Sequence, residues 1–377
     1  MTDFFTSGIF AELKLWDKLK NRRIPLDFTL ELTARCNNDC THCYINLPAG
    51  DLDARRKELT LAEITDIARQ AKDLGTLWCL VSGGEPLLRP DFFDIYMALK
   101  KQGLLISLFT NACLVTEEHI KFFKKYPPRD IEVTVYGVTE TTYERVTRRP
   151  GSFAAFQKGL DLLLKSGLKI RLKTMALRSN MHELEAISAF CREQANTSFR
   201  FDPHLHLRYD RDPNRNKEII SERLTPQEVV AIEQADTARS LALEKNCDYF
   251  IFHESEGELC NHLFRCGVGM TSFAVSYDGI FRPCADLWHP DCIYDLRTGS
   301  LVEAWSELIP RVRELTSSNE LWKATCRKCN IPNLCIECPA HADLETGLLD
   351  GETPYFCHVA HARAKALEEK RLKPVKE

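Results

Sequence analysis

Cys36-Asn-Asn-Asp-Cys40-Thr-His-Cys43 sets three thiols within eight residues, at a C-x3-C-x2-C spacing. One short loop of this kind wraps three corners of a cubane iron–sulfur cluster. A [4Fe–4S] cluster takes four thiolates, so three neighbouring cysteines leave one iron without a protein ligand. An open iron is a chemical site as well as an electron carrier. The same residues also suit a three-cysteine zinc site completed by His42, because C-x2-C pairs commonly bind zinc.

Some forty residues on, Trp78-Cys-Leu-Val-Ser-Gly83-Gly84-Glu85-Pro86 is an apolar strand running into a Gly-Gly-Glu-Pro turn. Glycines let the backbone approach a ligand closely, and a carboxylate suits an ammonium. With the two motifs in this order the chain resembles the radical S-adenosylmethionine (SAM) enzymes. The resemblance implies that the open iron chelates the amino and carboxylate groups of SAM. It also implies that Gly83, Gly84, Glu85 and Pro86 hold the methionine amino group.

The chain has 377 residues, 16 cysteines and a net charge of −4, enough length for two domains and a sizeable core. No basic block precedes the tail, which argues against nucleic acid as a partner. No apolar run approaches the ~18 residues of a membrane span, and Met1-Thr-Asp-Phe-Phe lacks a basic-then-apolar signal. No membrane and a cytoplasmic location are expected. Cysteines without a secretion signal read as metal ligands rather than disulfides.

Phe10, Leu13, Leu15, Trp16 and Leu19 predict a helix over 9–22. It lies in an N-terminal segment, 1–23, too short for a leader-binding winged-helix domain. Over 24–206, strands are expected at 26–32, 77–82, 104–109, 131–136, 169–176 and 198–201. Helices are expected at 60–73, opened by the capping box Thr60-Leu-Ala-Glu63, and at 91–102, 117–125, 153–166 and 182–194. Six strand–helix alternations predict an α/β fold with a parallel sheet, short of the eight units of a closed barrel. The outcome is a partial (βα)6 TIM-like barrel with a splayed side, the fold the resemblance also implies. Residues 207–258 break the alternation. A polar loop, Tyr209-Asp-Arg-Asp-Pro-Asn-Arg-Asn, precedes a helix with Pro226 in its first turn that runs to about 243, and the segment reads as a linker or bridging helix.

In such sheets ligands gather at the C-terminal strand ends. Cys36 follows the first strand, Gly83 the second and Asn111 the third. Thr134 and Tyr136 end the fourth, Lys173 lies on the fifth and Asp202 follows the sixth. By resemblance, Thr134 stands where the family often places a serine touching the SAM ribose, and Arg148 or Arg149 reaches the SAM carboxylate. Asn111 and Lys173 are further candidates for cofactor contacts. Solvated or structural roles are the alternatives, and for Asp202 the alternative is a turn-forming Asp-Pro.

From residue 259 the cysteines thicken. Cys260 precedes Cys266-x12-Gly279-x4-Cys284, and Tyr277-Asp-Gly279 has the form of a hairpin turn that draws Cys266 towards Cys284. Cys326-x2-Cys329-x5-Cys335-x2-Cys338 and Cys357 follow. Residues 259–377 resemble the SPASM extension of radical SAM enzymes, which houses two auxiliary [4Fe–4S] clusters. The family usually has three residues where this chain has two between Cys335 and Cys338. The family's crossed pattern assigns Cys260, Cys266, Cys284 and Cys338 to one cluster, and Cys326, Cys329, Cys335 and Cys357 to the other, for three clusters in all. A zinc ribbon over 326–338 is the alternative. Cys79, Cys113 and Cys191 read as buried thiols, and Cys292 as a stand-in ligand.

The resemblance implies reductive cleavage of SAM, with an electron passed from the cluster on Cys36, Cys40 and Cys43, and a 5′-deoxyadenosyl radical that abstracts hydrogen from an unactivated carbon. Stretches at 135–143, 147–153, 338–347 and 355–363 resemble maturases of ribosomally made peptides. The expected substrate is a peptide or protein, joined by a thioether or another side-chain crosslink. A flavodoxin or ferredoxin is the expected electron donor, and a separate leader-binding protein is an expected partner. Tyr136, Asp202 and Asp286 are candidate bases. Alternatives are formylglycine formation, which Ala285 disfavours by separating Cys284 from Asp286, and oxidation of a small molecule such as a tetrapyrrole side chain. A non-catalytic iron–sulfur carrier or zinc scaffold has no use for the Gly-Gly-Glu-Pro turn.

Overall fold

Alternation along the strands builds this molecule. In the computed structural model, which describes residues 22–195, 199–249 and 261–372, every second strand residue is apolar and buried. These are Phe28 and Leu30 in β1 (Asp27–Glu31), Cys79 and Val81 in β2 (Trp78–Ser82), and Ile106 and Leu108 in β3 (Leu105–Thr110). Ile131 and Val133 in β4 (Asp130–Thr134), and Ile170 and Leu172 in β5 (Ile170–Met175), continue the series. They share one core with Ile64 and Ile67 of α1 (Leu61–Asp73), Ile95 and Leu99 of α2 (Phe92–Lys101), and Ile120 and Phe123 of α3 (Glu117–Lys125). Beyond α4 (Glu140–Thr147), Leu160 and Leu163 of α5 (Ser152–Leu164) and Ile187 of α6 (Leu184–Ala195) complete it. Side chains alternate across a strand. The intervening residues therefore line the opposite face, and they are largely polar: Thr29, Glu31, Glu132, Thr134 and Lys173, with Arg200 and Asp202 from β6 (Arg200–Asp202).

The sheet is larger than six strands. A C-terminal strand, β7 (Ser272–Val275), lies parallel to β1, with Asp27 opposite Ser272 and Leu30 opposite Val275. An antiparallel pair, β8 (Ile280–Arg282) and β9 (Tyr294–Asp295), extends that edge. The order is β9-β8-β7-β1-β2-β3-β4-β5-β6, an open sheet whose parallel part is a partial barrel. Strand–helix alternation carries no sign of β7, because its partner lies at the other end of the chain. The hairpin turn expected at 277–279 joins β7 to β8, with Gly279 at a φ of +89° and its N–H on the Ser276 carbonyl at 3.0 Å.

Two further expectations are corrected. The polar run at 209–216 is not all loop: α7 (Pro213–Glu222) starts inside it, with Asp212 accepting from the Asn214 and Arg215 amides and Pro213 in the first turn. The helix expected to run to about 243 divides at Asp236 into α8 (Pro226–Ala235) and α9 (Thr237–Tyr249). Towards the C-terminus, α10 (Pro339–Thr346) and α11 (Pro354–Leu372) follow the cysteine-rich loops. The helix expected over 9–22 lies outside the described residues save for residue 22, and Cys260 also lies outside them. Among the described residues, no helix is long and apolar enough to cross a membrane.

Candidate active site

The loop that leaves β1 carries Cys36, Cys40 and Cys43, and it is fixed from three sides. The C-terminal end of α4 accepts the Asp39 and Thr41 amides at its Thr147 and Val146 carbonyls, at 2.9 and 3.1 Å. Arg149 donates to the Asn37 carbonyl at 2.8 Å. From the other flank, the buried Arg208 donates to the Cys43 and Asn46 carbonyls at 3.3 and 3.2 Å, and Arg215 of α7 donates to the Cys40 carbonyl at 3.0 Å. Asp210 orients Arg208 through two contacts at 2.9 and 2.6 Å, the fork geometry that carboxylates match best. The segment that reads as a linker thus supplies two of the loop's fixing residues. No spacing or composition marks Arg208 as one, whereas Asp212-Pro213 is a legible helix start that places Arg215.

Cys36, Cys40 and Cys43 lie close enough to raise one another's pKa, although burial is the larger cause. A tetrahedral zinc would need a fourth ligand beside these three thiols. His42, the expected fourth zinc ligand, packs edge-on against the Tyr136 ring at 5.1 Å, and burial holds it down at about 4. The Asn38 amide donates to the Cys36 sulfur at 3.4 Å, and backbone amides of Ile45 and Asn46 favour the Cys43 thiolate. Buried thiols of this kind ionise when a metal binds them. The residues present fit an iron–sulfur cluster with three protein ligands.

The Gly-Gly-Glu-Pro turn docks on this loop, and its glycines serve a backbone contact. Gly83 has a φ of +126°. A Cβ there would collide with the Thr33 carbonyl oxygen, and one on Gly84 with the Arg35 carbonyl oxygen. The Gly84 and Glu85 amides donate to the Thr33 and Arg35 carbonyls at 2.6 and 3.0 Å. The Glu85 carboxylate is fully buried and accepts from the Thr110 hydroxyl at 2.9 Å and from the Asn111 and Leu87 amides at 2.8 and 3.1 Å. Burial pushes it up to about 7 against those donors. These contacts tie β2 to the end of β3. Pro86 opens a short 3-10 turn over Pro86–Leu88.

Other expected residues divide into those at the loop and those engaged elsewhere. Asn111 reaches the loop, its side-chain amide donating to Asn37 Oδ1 at 2.8 Å and lying 3.6 Å from the Cys36 sulfur. Thr134 stands opposite Lys173 on the inner face of the sheet. Lys173 pairs with Glu132 at 2.5 Å and lies over the Phe109 ring at 3.6 Å, and Arg200 joins the same carboxylate at 2.8 Å. Arg148 caps α4 with a φ of +51° and pairs with Glu218 at 2.9 Å and Asp39 at 3.8 Å. Tyr136 lies with its hydroxyl on the Cys40 thiol, and burial and the neighbouring thiols push it up. Asp202 accepts the His204 amide at 3.0 Å, the turn role. Cys113, which reads as an ordinary buried thiol, lies beside the loop. The Asn38 side chain is 3.9 Å from its sulfur, and burial pushes it up to about 11.

The C-terminal cysteines gather in two groups. Cys284 feels Cys266, and Cys338 feels Cys284. Cys326 and Cys335 each feel Cys329 and Cys357. Cys266, Cys284 and Cys338 thus neighbour one another, as do Cys326, Cys329, Cys335 and Cys357. Glu337, which the sequence does not single out, lies among the second group. Burial pushes it up to about 7. Cys292 is fully buried, with Asp291 and Asp343 rather than thiols acting on it.

Comparison with known proteins agrees with this geometry. Residues 30–191 match the Radical SAM superfamily. The chain is 26% identical over 347 residues to the AdoMet-dependent heme synthase of Methanosarcina barkeri, spanning 86% of this chain and 94% of that protein. It is 25% identical over 266 residues to the antilisterial bacteriocin subtilosin biosynthesis protein AlbA of Bacillus subtilis, spanning 70% of this chain and 55% of that protein. The crystal structure of Streptococcus suis SuiB bound to precursor peptide SuiA shares the fold, with a TM-score of 0.63 and 16% identity over 91% of this chain and 77% of that one.

Proposed function

The chain is a radical SAM enzyme with a SPASM-like C-terminal region, and from that premise we propose that it matures a peptide or protein by forming a thioether or another side-chain crosslink. Cys36, Cys40 and Cys43 would hold the SAM-binding [4Fe–4S] cluster. When bound, cluster and SAM supply the radical chemistry that removes a hydrogen atom from an unactivated carbon. Arg149, Arg208 and Arg215 fix the loop that presents the three thiols. The backbone of Gly83 to Pro86, with Asn111 and Thr134, would line the SAM site. Lys173 would sit deeper on the inner face, its charge offset by Glu132.

The observation that carries the reading is the pair of cysteine groups within 259–377. Cys260, Cys266, Cys284 and Cys338, and Cys326, Cys329, Cys335 and Cys357, would hold two auxiliary clusters that carry electrons from the substrate. The likeness to AlbA, and to a fold solved with a precursor peptide, supports a peptide as substrate. A flavodoxin or ferredoxin would supply the electron, and a separate protein would deliver the peptide leader. Tyr136 and Asp202 are engaged within the chain, and neither is proposed as the base.

A second reading, oxidation of a tetrapyrrole side chain, is favoured by the heme synthase likeness across nearly the whole of that protein. Arg171, Lys173 and Arg200 around the single Glu132 would suit a substrate bearing carboxylates. One experiment separates the readings. Reconstituted protein is given SAM, dithionite and either a cysteine-rich peptide encoded beside its gene or an iron coproporphyrin. Peptide maturation predicts 5′-deoxyadenosine together with a peptide lighter by two hydrogens. Turnover of the porphyrin alone would select the second reading, and no 5′-deoxyadenosine with either would overturn both.

A further inference from the structure

We propose that His206, Asp286 and His341 bind one divalent transition-metal ion of the zinc or ferrous class, at a site distinct from the cysteine groups. Three remote segments deliver the donors: the stretch after β6, the loop after β8, and the first turn of α10. The donor atoms all lie within 4.8 Å of one another. Three points no farther apart than that share a centre at most about 2.8 Å from each, the circumradius of an equilateral triangle of that edge. Zinc bonds to imidazole and carboxylate are about 2.0–2.2 Å, so inward shifts of less than about 1 Å close the shell.

The three side chains do not satisfy one another. The two rings face each other with centroids 4.5 Å apart, yet no hydrogen bond or ion pair joins any two of the three residues. Nδ1 of His206 and Nδ1 of His341 are both buried without a hydrogen-bond partner, and His341 is only 7% exposed. A buried donor or acceptor left unmet is costly. Each ring therefore keeps one nitrogen uncommitted within the chain, in a trio that also holds one carboxylate. Two imidazoles and one carboxylate suit zinc or ferrous iron, whereas calcium and magnesium prefer oxygen donors throughout. Three protein ligands leave a further position for water or a substrate atom. Asp286 becomes a ligand in this arrangement, not a free base.

The test uses full-length protein with its clusters reconstituted. The protein is exposed anaerobically to Zn2+ alone and desalted, and iron and zinc are counted per chain. About one zinc should be retained with iron unchanged, and His206→Ala and Asp286→Asn should each lose the zinc but keep the iron. If His206→Ala also loses iron, the near-isosteric Asp286→Asn decides. X-ray absorption at the zinc edge should report nitrogen and oxygen donors. Equal zinc in wild type and Asp286→Asn, a sulfur shell near 2.3 Å, or no zinc on iron-replete wild type would each overturn the site.

Discussion

Arg282 and Glu31 lie 251 positions apart in the chain and 2.7 Å apart in the fold, and both are buried from solvent. Glu31 ends β1, at the threshold of the cysteine loop. Arg282 ends β8, whose next turn carries Cys284, and its guanidinium also lies over the Trp288 ring at 3.7 Å. One ion pair therefore ties the entrance of the first cysteine group to the hairpin of the second. Removing one partner strands the other charge in a low-dielectric interior, at a cost of about 3–5 kcal/mol. Arg282→Met should lower stability by that amount in denaturant unfolding. Replacing both residues, as in Glu31→Leu with Arg282→Met, should recover most of it. Equal damage from the single and double variants would show that the pair is not what the arginine contributes.

Arg215 contacts the cysteine loop through the Cys40 carbonyl, the Asn46 side chain and Asp39. Arg215→Ala should leave the fold intact but loosen this loop. Of the bound iron, about four atoms per chain should pass to a chelator several-fold faster than in wild type, with the remainder unchanged. Uniform acceleration of all the iron would point to general unfolding instead.

The two C-terminal groups predict the iron count. Reconstituted wild type should hold about twelve irons, and Cys40→Ala and Cys338→Ala about eight each. Only Cys40→Ala should abolish reductant-dependent 5′-deoxyadenosine. A Cys338→Ala protein that keeps all its iron would remove that residue from the ligand set.

Asp27 opens β1, and burial pushes its carboxyl up to about 6, with Arg129 opposing. Its folded value exceeds its unfolded one, so the penalty is full above pH 6 and fades as the pH falls through 6 towards 4. Two pH units correspond to about 3 kcal/mol at most. Asp27→Asn should therefore raise Tm by a few degrees at pH 7.5 and by little at pH 4. An equal gain at both values would locate the effect outside this carboxyl's ionisation.

Legibility followed distance along the chain. Cys36, Cys40 and Cys43 declare themselves by local spacing, and β1 to β6 by alternation with helices. The hairpin at 277–279 is equally local, and its turn chemistry shows. What escaped the sequence depends on contacts between remote segments. β7 has no neighbouring strand to announce it, and Arg208 looks like any solvated arginine until its carbonyl partners are seen. The amides of Leu87 and Asn111 and the hydroxyl of Thr110 that meet Glu85, and the Glu218 that meets Arg148, have no local signature either. Charged residues were identifiable as interesting, but their partners were not.

The β1–β7 ladder also sets an order of events during synthesis. β1 leaves the ribosome early, whereas the strand that covers its outer edge follows about 240 residues later. At about 5–20 residues per second, that edge stays open for roughly ten to fifty seconds. An unpaired edge in a nascent chain is a template for wrong pairing. The half-built sheet thus stays open to such pairing until β7 arrives.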